Sequence, residues 1–249
     1  MKKIITIALA IVAFGFYSCK EDETAAAKVN ITFDHKVGMQ DLIQDSIVYT
    51  NMAGNPYSVM TLKYFISDVV LHKSNGSSVF IDAEHYVDAF DAQTLIFDSD
   101  TELSEGDFSH ISFVFGMDSA KNIDGRFVNA PESNMEWPEP MGGQDNAGYH
   151  YMKLEGKFRD SNNMVMNYNT HTGASMGMPY HVNVTLPNSD FFVNGDAIDI
   201  TLTMDINNWY QNPTTYDFNE VGMMMMGNQA AQAAIQGNGS DVFTVSISD

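Results

Sequence analysis

Hydrophobic and polar residues alternate along much of this chain. Val29, Ile31 and Phe33 are interleaved with Asn30, Thr32 and Asp34, the period-two pattern of a strand with one buried face. Runs of the same character recur at 59–72, 79–87, 111–115, 149–158, 180–186, 198–206 and 242–247. Turn-forming residues separate them: Ser74-Asn75-Gly76-Ser77 joins two runs, and Asn194-Gly195-Asp196 precedes another. Only 219–236 has helical character, with Asn228 as a candidate N-cap and Gly237 placed to end the helix in the left-handed conformation. No repeat, low-complexity linker or shift in composition marks an internal boundary. The pattern predicts an all-β protein, one antiparallel β-sandwich with a short helical insertion near the C-terminus.

The first residues depart from this pattern. Lys2 and Lys3 precede an apolar run over 4–16, which is the layout of a secretory signal peptide. The run is shorter than the about 20 apolar residues that cross a bilayer. It ends at Tyr17-Ser18-Cys19, and Cys19 is the single cysteine of the chain. A small residue directly before a lone cysteine resembles the lipobox of bacterial lipoproteins, with Phe16 where an aliphatic residue is usual. The expected organisation is therefore a lipoprotein signal peptide at 1–18, lipidation at Cys19, an acidic tether at 19–28 and a β-sandwich domain at 29–249. Lys20-Glu21-Asp22-Glu23 also resembles the signal that carries some lipoproteins outward. The expected location is thus the outer membrane, held by an N-terminal lipid, at the cell surface or the periplasmic face.

Charge and composition narrow the function. A formal net charge of −20 with only 12 Lys and Arg leaves no basic patch to neutralise phosphates, so nucleic acid is excluded as a partner. Such a surface is soluble and attracts cations. With one cysteine there is no intrachain disulfide, and a composition 44% hydrophobic and 12% aromatic must supply an ordinary core. The 17 methionines read first as flexible core filler and second as soft ligands for an ion such as Cu(I). Asp98-Ser99-Asp100-Thr101-Glu102 offers oxygens for calcium but lacks the glycine of an EF-hand loop. No nucleophile elbow, phosphate loop or haem-attachment motif is present, which points to binding rather than catalysis.

The chemistry-bearing residues gather around one loop. Met135-Glu136-Trp137-Pro138-Glu139-Pro140-Met141-Gly142-Gly143 is too rich in proline and glycine for a central strand, so Trp137 belongs to an irregular loop feeding the strand that begins near Tyr149. Along that strand, strict alternation puts His150 with Met152, Leu154 and Phe158 on the apolar face. The same parity turns His35 inward, places His171 at a strand end or loop, and turns His181 outward. His72, His85 and His110 show no evident partner. Convergence of His35, His150 and His171 would suit copper, with zinc as the alternative ion, and a thioether such as Met152 or Met176 would favour Cu(I). An inward histidine is, however, more often a hydrogen-bonded core residue.

Several motifs occur in a characteristic order: Ile31-Thr32-Phe33-Asp34-His35-Lys36-Val37-Gly38, Leu62-Lys63-Tyr64-Phe65-Ile66-Ser67-Asp68-Val69, the Met-x-Trp loop, Gly148-Tyr149-His150-Tyr151-Met152-Lys153-Leu154-Glu155-Gly156, and Asn169-Thr170-His171-Thr172-Gly173. Together they resemble the MbnP-like copper-binding family of secreted β-sandwich proteins. The resemblance implies copper held by histidines near a tryptophan that a di-haem, peroxidase-like partner oxidises to kynurenine. The matching tryptophan here is Trp137, with His150 and His171 in the adjoining motifs. Two departures stand out: Pro138-Glu139-Pro140 replaces a second aromatic, and the family's cysteine pairs are absent. The competing function is a surface interaction or glycan-binding sandwich that presents Trp209, Tyr210, Tyr216 and Phe218 without a metal.

Overall fold

The computed structural model describes residues 26–138, 148–221, 223 and 225–248, and of Asp82 and Ala83 the backbone alone. The signal peptide, Cys19, tether residues 19–25 and Glu139 to Gly143 of the tryptophan loop lie outside the described residues.

The first half of the chain forms β1 (Ala27–Val37), β2 (Gln40–Asp41), β3 (Tyr49–Thr50), β4 (Pro56–Tyr57), β5 (Thr61–Lys73), β6 (Ser78–Asp88), β7 (Ile96–Leu103) and β8 (Gly106–Phe115). The second half forms β9 (His150–Arg159), β10 (Val165–Gly173), β11 (Val182–Leu186), β12 (Phe191–Val193), β13 (Ile198–Asp205) and β14 (Phe243–Ser248). Two helices, α1 (Phe218–Val221) and α2 (Gln229–Asn238), lie between β13 and β14. Because β1 starts at Ala27, the last two residues read as tether belong to the sandwich.

The smaller sheet runs β14-β13-β1-β2 with β7 also on β1. The larger runs β11-β8-β5-β9-β4-β3 and carries β6 on β5, β10 on β9 and β12 on β8. Pairing between the named strands is antiparallel except for β1 and β13, which run parallel from Val29↔Ile198 to Lys36↔Asp205. A parallel pair needs a long crossover, and here almost the whole larger sheet is traced between its two members. The fold is thus the expected all-β sandwich with a short C-terminal helix, plus one parallel seam.

Alternation fixes which side chains enter the core. Ile31 and Phe33 from β1 and Ile200 and Leu202 from β13 pack against Leu62 and Tyr64 from β5 and Leu154 from β9. Each such side chain contributes about 1.5–3 kcal/mol when removed from water. The opposite face of the larger sheet carries a second cluster: Phe65, Tyr86, Met117, Met135, Tyr149, Tyr151 and Tyr180. The long connection between β8 and β9 covers this face. Its Phe127 ring stacks on Phe65 at 5.4 Å, and its backbone N–H donates to the Tyr149 hydroxyl at 2.8 Å.

Two local expectations are corrected. Asp98 to Glu102 lies in β7, where Asp98, Asp100 and Glu102 share the outward face but are spread along an extended strand about 7 Å apart, and among the described residues no group of three or more such side chains is arranged to hold an ion. The Asn228 carboxamide caps α2 by accepting from the Ala231 N–H at 3.1 Å, but the helix does not end at Gly237. It runs on to Asn238, whose buried amide donates to Trp209 O and Thr214 O, both at 2.8 Å. Those two bonds hold the last turn in place, and the capping residue Gly239 keeps right-handed φ of −66°.

Candidate metal centre

The site is made by an irregularity in β9. From β10, Thr172 faces Met152, yet its neighbour Gly173 faces His150, so one step on β10 matches two on β9. The extra residue is a β-bulge, a device that re-aims side chains. Met152 and Leu154 stay in the inter-sheet core, whereas Tyr151 joins the outer cluster and His150 turns to Trp137 and His171. The expectation that His150 shares a face with Met152 and Leu154 is therefore corrected: unbroken parity misses the bulge.

Trp137 is brought in by the connecting loop. Its backbone N–H donates to Gly148 O at 2.8 Å, and Glu136 forms a bridge with Tyr149, so the loop is laid alongside the start of β9. The indole is 5% exposed and lies against Gly173, where a Cβ would stand 2.4 Å from its ring. Only a residue without a side chain allows this approach. The indole and His150 ring centroids are 4.6 Å apart, and the rings of His150 and His171 meet edge-on at 5.0 Å.

Hydrogen bonds orient both imidazoles. His150 Nδ1 lies 2.9 Å from Met135 O, and because a carbonyl only accepts, Nδ1 carries the proton and Nε2 the lone pair. That Nε2 is buried and meets no hydrogen-bond partner among the described residues. Leaving such an atom unpaired costs about 1–3 kcal/mol. His171 Nε2 lies 2.7 Å from Glu155 Oε1, the carboxylate–histidine arrangement that orients a metal-binding ring and leaves Nδ1 of the neutral ring to bind. The bond from His171 holds the Glu155 carboxyl below its ordinary range. Burial, helped by the charge of Lys153 and by His171, pushes the His150 pKa down to about 3, so this ring stays neutral.

His35 does not join this pair. It is buried on β1 as expected, but its Nε2 is 2.9 Å from the Tyr64 hydroxyl, which makes it a satisfied core histidine. Among the described residues no group of three or more His, Cys, Asp or Glu side chains is arranged to hold a metal. His181 is half-buried instead of solvent-facing, with Nδ1 shielded and its ring 6.2 Å from that of Tyr151. His72 and His110, paired across β5 and β8, stack at 4.1 Å, and His85 stacks on Phe33 at 5.3 Å. The aromatics assigned to glycan binding are core residues: Trp209, Tyr210, Tyr216 and Phe218 are all 0–4% exposed.

The sequence model of the MbnP family matches residues 26–226. The chain belongs to the MbnP family. Among solved structures, MbnP from Methylosinus trichosporium is similar, with a TM-score of 0.57 at 13% identity over 90% of this chain and 99% of that one. At that identity the likeness speaks for the fold. No curated protein matches the chain. The matched span contains β1 through β13 and both candidate ligands, so the histidine pair and Trp137 lie inside the family domain.

Two imidazoles suit copper. Zinc takes about four protein ligands in a structural site and three in a catalytic one, and the described residues bring two histidines together here.

Proposed function

We propose that this protein is an extracytoplasmic copper-binding lipoprotein, anchored through Cys19 at the outer membrane and holding copper through His150 and His171 beside Trp137. One observation carries the reading: the His150 Nε2 lone pair, buried and unpartnered, beside a second oriented imidazole and under an indole. Copper-related family membership is consistent with it. The role is binding and not turnover. The Trp137 indole packs against the His150 ring with centroids 4.6 Å apart, and it is the residue we assign to oxidation by a di-haem, peroxidase-like partner.

The test is copper affinity of the purified protein by chelator competition, beside the double variant His150→Ala/His171→Ala. Stoichiometric copper that disappears in the variant supports the site; equal weak binding by both overturns it. Intact mass of the membrane-extracted protein checks the anchor, which requires a mature chain beginning at acylated Cys19.

A further inference from the structure

The hydrogen bonds that orient the histidine pair also fix a charge beside it. In the connection between β8 and β9, Glu132–Met135 forms a single 3₁₀ turn. Its last two carbonyls accept from side chains of β9: Met135 O from His150 Nδ1 at 2.9 Å, and Asn134 O from Lys153 Nζ at 2.6 Å. Consecutive residues stand about 3.8 Å apart, so this one turn holds the ammonium close to the His150 ring. From the neighbouring strand β10, His171 is the direct cross-strand partner of Lys153, and such partners share a face with Cβ atoms about 4.5–5.5 Å apart. Both candidate ligands therefore border Lys153, whose charge is among the causes that keep His150 neutral.

The charges around the pair oppose one another. Glu155, next after Lys153 on the same face of β9, holds His171 Nε2 at 2.7 Å and brings a negative charge to one side. Across β5, Lys63 is the other cross-strand partner of Lys153, and its ammonium is taken by Asp88 at 3.3 Å. Lys153 instead gives its hydrogen bond to a carbonyl, so no carboxylate cancels its charge at that contact. The side chain is half-buried, and partial removal of an ammonium from water carries a solvation cost that packing alone does not return.

We propose that Lys153 selects the oxidation state of the ion at the histidine pair, its fixed positive charge disfavouring Cu(II) more than Cu(I). The inference rests on the copper reading above and adds to it a residue that touches neither the ion nor the indole in its role. A unit positive charge repels a divalent ion by one charge more than a monovalent one. With an effective dielectric of about 20 and a separation near the Debye length of about 8 Å, that extra repulsion, discounted for solvent around a half-buried group, changes the ratio of the two affinities roughly tenfold. Glu155 acts in the opposite sense through its bond to His171, so the balance of these two side chains sets the preference.

Affinities for Cu(I) and for Cu(II) would be measured by chelator competition on the native protein, Lys153→Met, Lys153→Arg and His150→Ala/His171→Ala. Methionine is unbranched and flexible and fills similar space without charge, whereas arginine keeps both the charge and a donor for Asn134 O. The proposal requires that Lys153→Met raise the affinity for Cu(II) relative to Cu(I) roughly tenfold, which is a fall of about 59 mV in the reduction potential of the bound ion. It also requires that Lys153→Arg restore the native ratio. A lysine that only pins the 3₁₀ turn would weaken both ions by the same factor in Lys153→Met, and that unchanged ratio overturns the proposal while leaving the copper site standing. Native affinities equal to those of the double histidine variant for both ions overturn the copper reading and this inference with it.

Discussion

The contact of Trp137 with β10 predicts a large effect from a single methyl group. In Gly173→Ala the added carbon would stand 2.4 Å from Cζ3 and 2.5 Å from Cε3 of the indole. Carbon atoms rest about 3.5 Å apart, so the ring must retreat by roughly 1 Å. It has little freedom to do so. The Trp137 backbone is tied to Gly148 at 2.8 Å, and the His150 ring packs against the indole with centroids 4.6 Å apart. Overpacking of this kind costs about 1–3 kcal/mol. Urea unfolding followed by circular dichroism should show a loss of about 2 kcal/mol. Tryptophan emission should shift to the red, because the indole is displaced toward water while Trp209, 0% exposed, provides a constant background. Copper affinity should fall as well, since the same ring shields His150. A loss below about 0.5 kcal/mol with unchanged emission would be no more than a surface substitution produces, and would show that the indole is not seated against β10.

Two further outcomes follow from hydrogen bonds and burial. Removing the acceptor that orients His171, in Glu155→Ala, should weaken copper binding about 10–100-fold, with Glu155→Gln intermediate because its amide oxygen still accepts; equal affinities by chelator competition would count against an orienting role. For His35, burial outweighs the attraction of Asp34 and Asp88 and lowers the pKa from 6.5 to about 4. The unfolded chain therefore binds the proton first as pH falls. The stabilisation is complete above pH 6.5 and is lost as pH drops toward about 4, at roughly 1.4 kcal/mol per unit, or about 3 kcal/mol in all. Urea midpoints across that window should fall less steeply in the His35→Leu/Tyr64→Phe variant than in the native protein, and parallel slopes would refute the assignment.

Local chemistry made much of this protein legible in the sequence. Period-two alternation located β1, β5, β6, β9, β13 and β14, because a half-buried strand writes its two faces into alternate residues. The cap at Asn228 was visible for the same kind of reason: a side-chain oxygen three residues before a donor is a local relation. Trp137 and Pro138 lie outside any strand, as the proline and glycine around them predicted. The strand β7 was not legible, since Asp98, Asp100 and Glu102 stand at its outward positions and give the run the look of a polar loop.

What only the tertiary structure decided are relations between distant residues. The parallel seam of β1 and β13 joins segments separated by most of the chain, and no local pattern encodes which edge a strand selects. The bulge opposite Gly173 exists because the register of β10 on β9 shifts by one residue there, skipping Tyr151. That slip takes His150 out of line with the inter-sheet core and sets it beside His171, while His35, equally inward by parity, is taken up by Tyr64. The sequence therefore determined which side chains could bind a metal, and the pairing of strands, which acts across the whole fold, decided which of them meet.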